Sequence, residues 1–150
     1  MSKIIIYCDG ACSGNQFDVN IGGWGAVLQY KHTVKEIYGG VRNTTNNIME
    51  LTAAIEALKF IKTTNIPIEM HIDSAYVVNG MNEWIHGWIK KGWRKSNKKP
   101  VENKELWVEL NELRNKQSSV KFIKVKGHAG VELNELADQL ANKGMDEIRG

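Results

Sequence analysis

Cysteine and proline are scarce in this chain: two of each in 150 residues. Cys8 and Cys12 have no third or fourth partner elsewhere. That excludes a disulfide scaffold and a structural zinc site, and it suits a reducing cytoplasm. Long apolar runs are missing too. Near the start, the longest runs from Ile4 to Cys8 and ends at Asp9. It is too short for the apolar part of a signal peptide and far too short to cross a bilayer, so no membrane association is expected. There is no internal repeat, no low-complexity tract and no Gly-rich loop ending in Lys-Ser or Lys-Thr, which argues against a nucleotide triphosphatase. No large excess of one charge exists either. With 20 Lys and Arg against 17 Asp and Glu, the net charge is +3, a balance that taken alone argues against a nucleic-acid partner.

What is present suffices for a packed core, at 42% hydrophobic and 25% charged, and one domain over residues 1–150 is expected. Lys3 to Asp9 reads as a buried strand, followed by Gly-rich punctuation. Trp24 to Tyr30 and Thr33 to Tyr38 read as an antiparallel hairpin turning through Lys31 and His32. The period then changes: Ile48, Leu51, Ala54, Ile55, Leu58 and Ile61 form a helical stripe over Asn46 to Lys62, capped by Thr45 or Asn46. Ile66 to Asp73 is a further strand, and Ser74 to His86 is one or two short helices. A basic, Trp-rich stretch follows and breaks at Pro100. Asn103 to Asn115 is an amphipathic helix, Ser119 to Val125 a fifth strand, and Leu133 to Lys143 a final helix. This order implies one mixed sheet with helices on its faces.

Two strands close on an acid at the same relative place, Asp9 in IIIYCDG and Asp73 in IEMHIDS. If a helical crossover makes them parallel, both carboxylates emerge at the carboxyl edge of the sheet, where open α/β sheets bind ligands. The plain alternative is that each starts a turn or caps a helix. Glu50 falls at the margin of the buried helical stripe, where an unpaired charge is costly. It either reaches out to water or faces Asp9 and Asp73 across a cation. In the last helix Asp138 and Asn134 are four apart and share one side. Before it, KGHAG sets His128 between Gly127 and Gly130, off any apolar face; His32, His71 and His86 read as structural. Four acids and one histidine suit magnesium or manganese better than zinc. Two such ions about 4 Å apart would set roughly +4 against the four carboxylates. No Ser–His–Asp order or thiolate–histidine pair supplies a better nucleophile.

From Trp84 to Lys99 there are six basic residues (Lys90, Lys91, Arg94, Lys95, Lys98 and Lys99) and no acid, with Trp84, Trp88 and Trp93 between them. The tryptophans either stack on sugars and bases or build a local core that holds the lysines in an array. The array is the favoured reading, with a polyanion backbone as its target.

Taken in order, DGACSGN, GGWGAVL, TTNNIMEL, IDSAYVVNGM, EWIHGWIKKGWRKSNKKPVEN, KGHAG and NELADQLA resemble the type 1, bacterial-type ribonuclease H family over essentially the whole chain. The resemblance implies a ribonuclease H-like fold, a five-stranded mixed sheet with its first three strands antiparallel. It implies endonucleolytic hydrolysis of the RNA strand of an RNA–DNA hybrid, leaving 5′-phosphate and 3′-hydroxyl ends. Asp9, Glu50, Asp73 and Asp138 match the family's metal-binding carboxylates, for one or two Mg2+ or Mn2+ ions, and His128 matches a histidine that shuttles protons or assists product release. Cys12, Asn15, Asn46 and Asn47 match contacts to the hybrid's sugar edges and bases, which let a protein sense the 2′-hydroxyl. Thr45 and Asn103 match a pocket for a DNA phosphate, Asn134 a support near Asp138, and residues 84–99 the basic protrusion. The chain departs from the family's pattern at Gln16 to Ile21, a longer and proline-free loop, at Ala75, and at Arg42–Asn43. A cytoplasmic monomer is expected. The rivals are a non-cleaving hybrid-binding module, which should have lost one of the acids, and a transposase- or integrase-like DNA nuclease, which typically uses three.

Overall fold

A computed structural model describes residues 2–14, 20–125 and 132–149. Alternation of apolar residues gives the first strand, β1 (Ile4–Ser13), two covered faces: Ile4, Ile6 and Cys8 are buried on one and Ile5 and Tyr7 half-buried on the other. It pairs antiparallel with β2 (Ile21–Tyr30), which pairs antiparallel with β3 (Thr33–Arg42). Lys31, at φ +56°, makes the turn between them.

After helix α1 (Asn46–Phe60), strand β4 (Ile68–Ile72) returns parallel to β1 on its other side. Next come α2 (Ala75–Asn79), one π-helical turn (Gly80–Trp84), α3 (Ile85–Lys90) and α4 (Lys104–Asn115). Strand β5 (Val120–Lys124) pairs parallel with β4, and α5 (Glu132–Arg149) follows. The sheet order is β3-β2-β1-β4-β5, with the first three strands antiparallel as expected.

The pleat divides the core in two. Ile6, Ala26 and Met70 point to one face and pack with Leu51 and Leu58 of α1 and with Trp107 and Leu110 of α4. Val27 points to the other, under Ala137 and Leu140 of α5, with Tyr7 and Tyr38 beside it. The helices α1 to α4 thus cover one face, and α5 covers β1, β2 and β3 on the opposite face.

Elements differ in extent from the sequence reading: α1 stops at Phe60, β4 starts at Ile68 and the short helices run on to Lys90, while the strands and α5 are longer for a shared reason. β1 and β2 run on through glycines that read as punctuation, β3 continues past Tyr38 through Gly39 and Gly40 to Arg42, and α5 continues past Lys143 through Gly144 to Arg149. At these glycines another part of the chain fills the space of a side chain: backbone at Gly10, Gly23, Gly25, Gly40 and Gly144, and side chains at Gly22 and Gly39. A Cβ on Gly25 would lie 2.6 Å from the carbonyl oxygen of Ala137, and one on Gly144 would collide with the carbonyl of Gly39 in β3. Absence of a side chain, rather than a turn, is what each position requires.

Gly144→Ala sets two effects against each other. Helix propensity favours alanine by about 1 kcal/mol, whereas overpacking against a backbone atom costs about 1–3 kcal/mol. The contact should win. Urea unfolding of Gly144→Ala is expected to show a net loss of about 1 kcal/mol or more, and a gain would mean that α5 lies further from β3.

Candidate active site

The pairing of β1 with β4 sets Cys8 opposite Ile72. Asp9 and Asp73 are the next residues on each strand, so the two acids stand together at the carboxyl edge. Both are half-buried, and Asp9 pairs across β2 with Gly25. Thr45 caps α1, its Oγ1 accepting from the Ile48 N–H at 3.1 Å, and that start places Glu50 in the second turn. Glu50 does not reach out to water: only 7% of it is exposed. One backbone amide ties two acids together, because the Gly10 N–H donates to Glu50 Oε1 at 2.7 Å and to Asp9 Oδ1 at 2.9 Å. Asp138, exposed on α5, meets Asp9 from the other face of the sheet. The structure therefore brings the other three predicted acids, Glu50, Asp73 and Asp138, around Asp9.

Gathering them has an electrostatic consequence. Burial pushes the Asp9 carboxyl up to about 7, with the hydrogen bond and charge of Asp138 adding to it and the Gly10 N–H opposing it. Glu50 is pushed up to about 9, again by burial first and then by the charge of Asp9. Beneath them the Cys8 thiol is driven far above its ordinary range by burial and by the same two carboxyls.

Cationic relief at the cluster comes from Lys124, whose Nζ stands 3.4 Å from Asp73 Oδ1 and donates to the Val125 carbonyl at 2.8 Å. Among the described residues, no three His, Cys, Asp or Glu side chains stand close enough to grip an ion as they are. The donor set nonetheless suits one. It is all carboxylate oxygen, anionic and crowded, the chemistry of a hard divalent cation rather than of zinc.

His128 and Asn15 lie outside the described residues. Asn134 is buried on α5, and its Oδ1 has no partner among the described residues. Asn46 and Asn47 are exposed on the first turn of α1. Cys12 Sγ lies 3.7 Å from the Thr44 carbonyl, to which it donates. Asn103, in the left-handed region at φ +59°, precedes α4. Its amide donates to Tyr76 Oη at 3.1 Å, and Trp107 Nε1 donates to the same oxygen at 3.3 Å.

The basic segment stands on an aromatic base. Trp88 packs against Trp107, Trp84 and Trp93 with ring centroids 5.1, 6.0 and 6.2 Å apart. Trp88 and Trp93 join the main core, while Trp84 stays 40% exposed. These contacts favour the local core over free stacking platforms for Trp88 and Trp93. A bridge between Arg94 and Pro100 closes a short loop beyond them. Lys90, Lys91, Arg94, Lys95, Lys98 and Lys99 are all exposed, and none pairs with an acid among the described residues.

Sequence reasoning missed Lys124, Trp107 and Asn20. Lys124 sits one residue before Val125 at a strand end, and only the parallel register brings it to Asp73. Asn20 lies between two loop-like segments and looks solvated. Its amide bonds the backbone of Thr44 twice.

Raised carboxyl values make stability depend on pH with a definite sign. An acid whose folded value exceeds its unfolded value near ~4 stabilises fully below that value and less as pH rises through the folded one. In divalent-free buffer the melting temperature should therefore fall between about pH 4 and pH 9. Asp9→Asn and Glu50→Gln should each flatten that decline and melt at least ~2–4 °C above wild type at pH 8, the size of a ~1 kcal/mol effect in a chain this long. Parallel curves for the three proteins would contradict the burial of these charges.

The comparisons agree with the geometry. The RNase H family model matches residues 1–146. The chain is similar to the ribonuclease H of Clostridium botulinum (strain Hall), 53% identical over 149 residues and covering 99% of each. Among solved structures it is similar to LC9-RNase H1, described as a type 1 RNase H with the type 2 active-site motif. Identity there is 33% and the TM-score 0.85, over 97% of this chain and 73% of that one. It is also similar to LC11-RNase H1, solved in complex with an RNA/DNA hybrid, at 26% identity and TM-score 0.72 over 99% and 100% of the two chains. With its acids on the strands and helices where the motifs put them, the chain belongs to the ribonuclease H family.

Proposed function

We propose that the four gathered carboxylates cut the RNA strand of an RNA–DNA hybrid by divalent-metal-assisted hydrolysis, leaving 5′-phosphate and 3′-hydroxyl ends. The observation that carries this reading is Glu50, a nearly buried acid tied through the Gly10 amide to Asp9. A carboxylate so placed raises the cost of folding unless a cation joins it. Asp9, Glu50, Asp73 and Asp138 would hold one or two Mg2+ ions, with Mn2+ able to substitute. Once bound, such ions supply positive charge for activating water and for the leaving oxygen.

The chain's own residues do the rest. The Gly10 N–H keeps Asp9 and Glu50 aimed at one point, and Lys124 steadies Asp73. Water attacks phosphorus and gives up a proton to solvent, the bond to the 3′-oxygen breaks, and that oxygen takes up a proton, a transfer we assign to His128 from its place in KGHAG. The segment 84–99 holds the DNA strand, with Thr45 and Asn103 gripping one of its phosphates. Cys12, Asn15, Asn46 and Asn47 read the sugar edges, and Asn134 supports Asp138. The free thiols Cys8 and Cys12 support a reducing, cytoplasmic setting. We take residues 1–150 as one catalytic domain acting as a monomer. No helix among the described residues is long and apolar enough to cross a membrane.

A panel of hybrid, double-stranded RNA and double-stranded DNA, with Mg2+ or with chelator, tests the reading. Only the hybrid with Mg2+ should be cut, and preferential cutting of plain DNA would overturn it. Asp9→Asn, Glu50→Gln and Asp73→Asn should each lose at least about a hundredfold in cleavage rate, with hybrid binding largely kept; a wild-type rate in any of them would remove that residue from the site. Replacing Lys90, Lys91, Arg94 and Lys95 together by alanine should weaken hybrid binding. The log–log salt slope should flatten by about 0.7–0.9 for each phosphate that the arm no longer neutralises, and an unchanged slope would make the segment an ordinary solvated surface.

A further inference from the structure

Asn20 lies in the stretch where the chain departs from its family's pattern, yet it makes three hydrogen bonds to the segment that leads into α1. Its Nδ2 donates to the Thr44 carbonyl at 2.7 Å, and its Oδ1 accepts from the Thr44 N–H at 3.0 Å. The Asn43 N–H donates to the Asn20 carbonyl at 2.9 Å. The orientation of the amide is forced, because a backbone N–H must face the oxygen and a backbone carbonyl the nitrogen. Asn43 is at φ +58°, a left-handed conformation that asparagine tolerates, and this tight step delivers Thr44 to the clamp. Thr44 is itself only 4% exposed, and its carbonyl also accepts from Cys12 Sγ at 3.7 Å.

The placement joins three parts of the interface. Cys12 is on β1, and Asn20 immediately precedes β2. Thr44 comes just before the capping residue Thr45 and the exposed pair Asn46 and Asn47. A helix start that is free to shift would move those side chains together.

We propose that Asn20 is a positioning residue for hybrid binding, clamping Thr44 so that the first turn of α1 presents Asn46 and Asn47 in register with Cys12. The proposal rests on the hybrid-cleavage reading for the identity of the ligand. It acts before chemistry, by cutting the cost of ordering the interface when the hybrid binds. Asparagine is required because the clamp needs one donor and one acceptor. Aspartate keeps the acceptor and sets a charge against the Thr44 carbonyl, and leucine has neither.

The test uses the full chain, Asn20→Leu and Asn20→Asp, with a defined RNA–DNA hybrid in chelator so that affinity is read without turnover. The amide exchange of Thr44 is followed by NMR on the same samples. Both variants should exchange the Thr44 amide faster than wild type and bind the hybrid about tenfold more weakly, the size of one or two missing hydrogen bonds. With Mg2+ added, KM should rise by more than kcat falls. Unchanged exchange at Thr44 overturns the clamp. Faster exchange with hybrid affinity within twofold of wild type makes Asn20 structural only and overturns its role in binding. Should Asn20→Leu fail to fold, Asn20→Asp carries the same two readouts. A wild-type protein that binds the hybrid without cutting it would defeat the cleavage reading, and this inference would still be decided on affinity.

Discussion

The parallel pairing of β1 with β4 is the constraint on which the site depends. Its last pair, Cys8 with Ile72, leaves two aspartates with nowhere to go except the same edge. Parallel strands require a crossover, and α1 is that crossover; its start beyond the edge puts Glu50 within reach of the Gly10 amide. From the opposite face α5 lowers Asp138 onto Asp9. Four separate elements thus bring negative charge to one edge, and each is held there by apolar packing that the charges themselves oppose. Shifting β4 by a single residue would turn Asp73 to the opposite face of the sheet.

A second assembly, made of aromatic rings, fixes the basic arm relative to that acidic edge. Tyr76 is three residues beyond Asp73. Its oxygen accepts from both Asn103 and Trp107, and its ring lies against Trp84 and Trp107. Trp88 continues the cluster outward to Trp93, at the root of the loop that carries the arginine and most of the lysines. Charge that averages to +3 over the chain is therefore sorted in space. A cationic arm without an acid partner among the described residues and a crowded anionic edge are keyed to one another through α2, which begins at Ala75, one residue beyond its cap Ser74 and two beyond Asp73.

Much of this could be read from residue order. Strand-terminal aspartates at matching places, an acid on the margin of an apolar stripe, and tryptophans spaced among lysines each carry their own physical meaning. What could not be read depends on partners distant in sequence. The glycines of the strands look like breaks because a local reading sees missing side chains; it cannot see the helix backbone or distant side chains that occupy the space. The same blindness ended α5 too early at Lys143. The π-helical turn at Gly80–Trp84 left no trace in the periodicity; at its start Gly80 lies against the ring of Trp107. Asn20 and Lys124 were ordinary polar residues until pairing brought Thr44 and Asp73 beside them.

Gly25 has a meaning that extends beyond packing. It is the cross-strand partner of Asp9, and it lies directly beneath the carbonyl of Ala137, the residue before Asp138. The gap between two of the acids is thus set by the thickness of a glycine. A methyl group at position 25 would act as a shim, lifting the N-terminal half of α5 and Asp138 with it while leaving every acidic residue intact. The spacing between Asp9 and Asp138 is thus governed from a position that bears no charge.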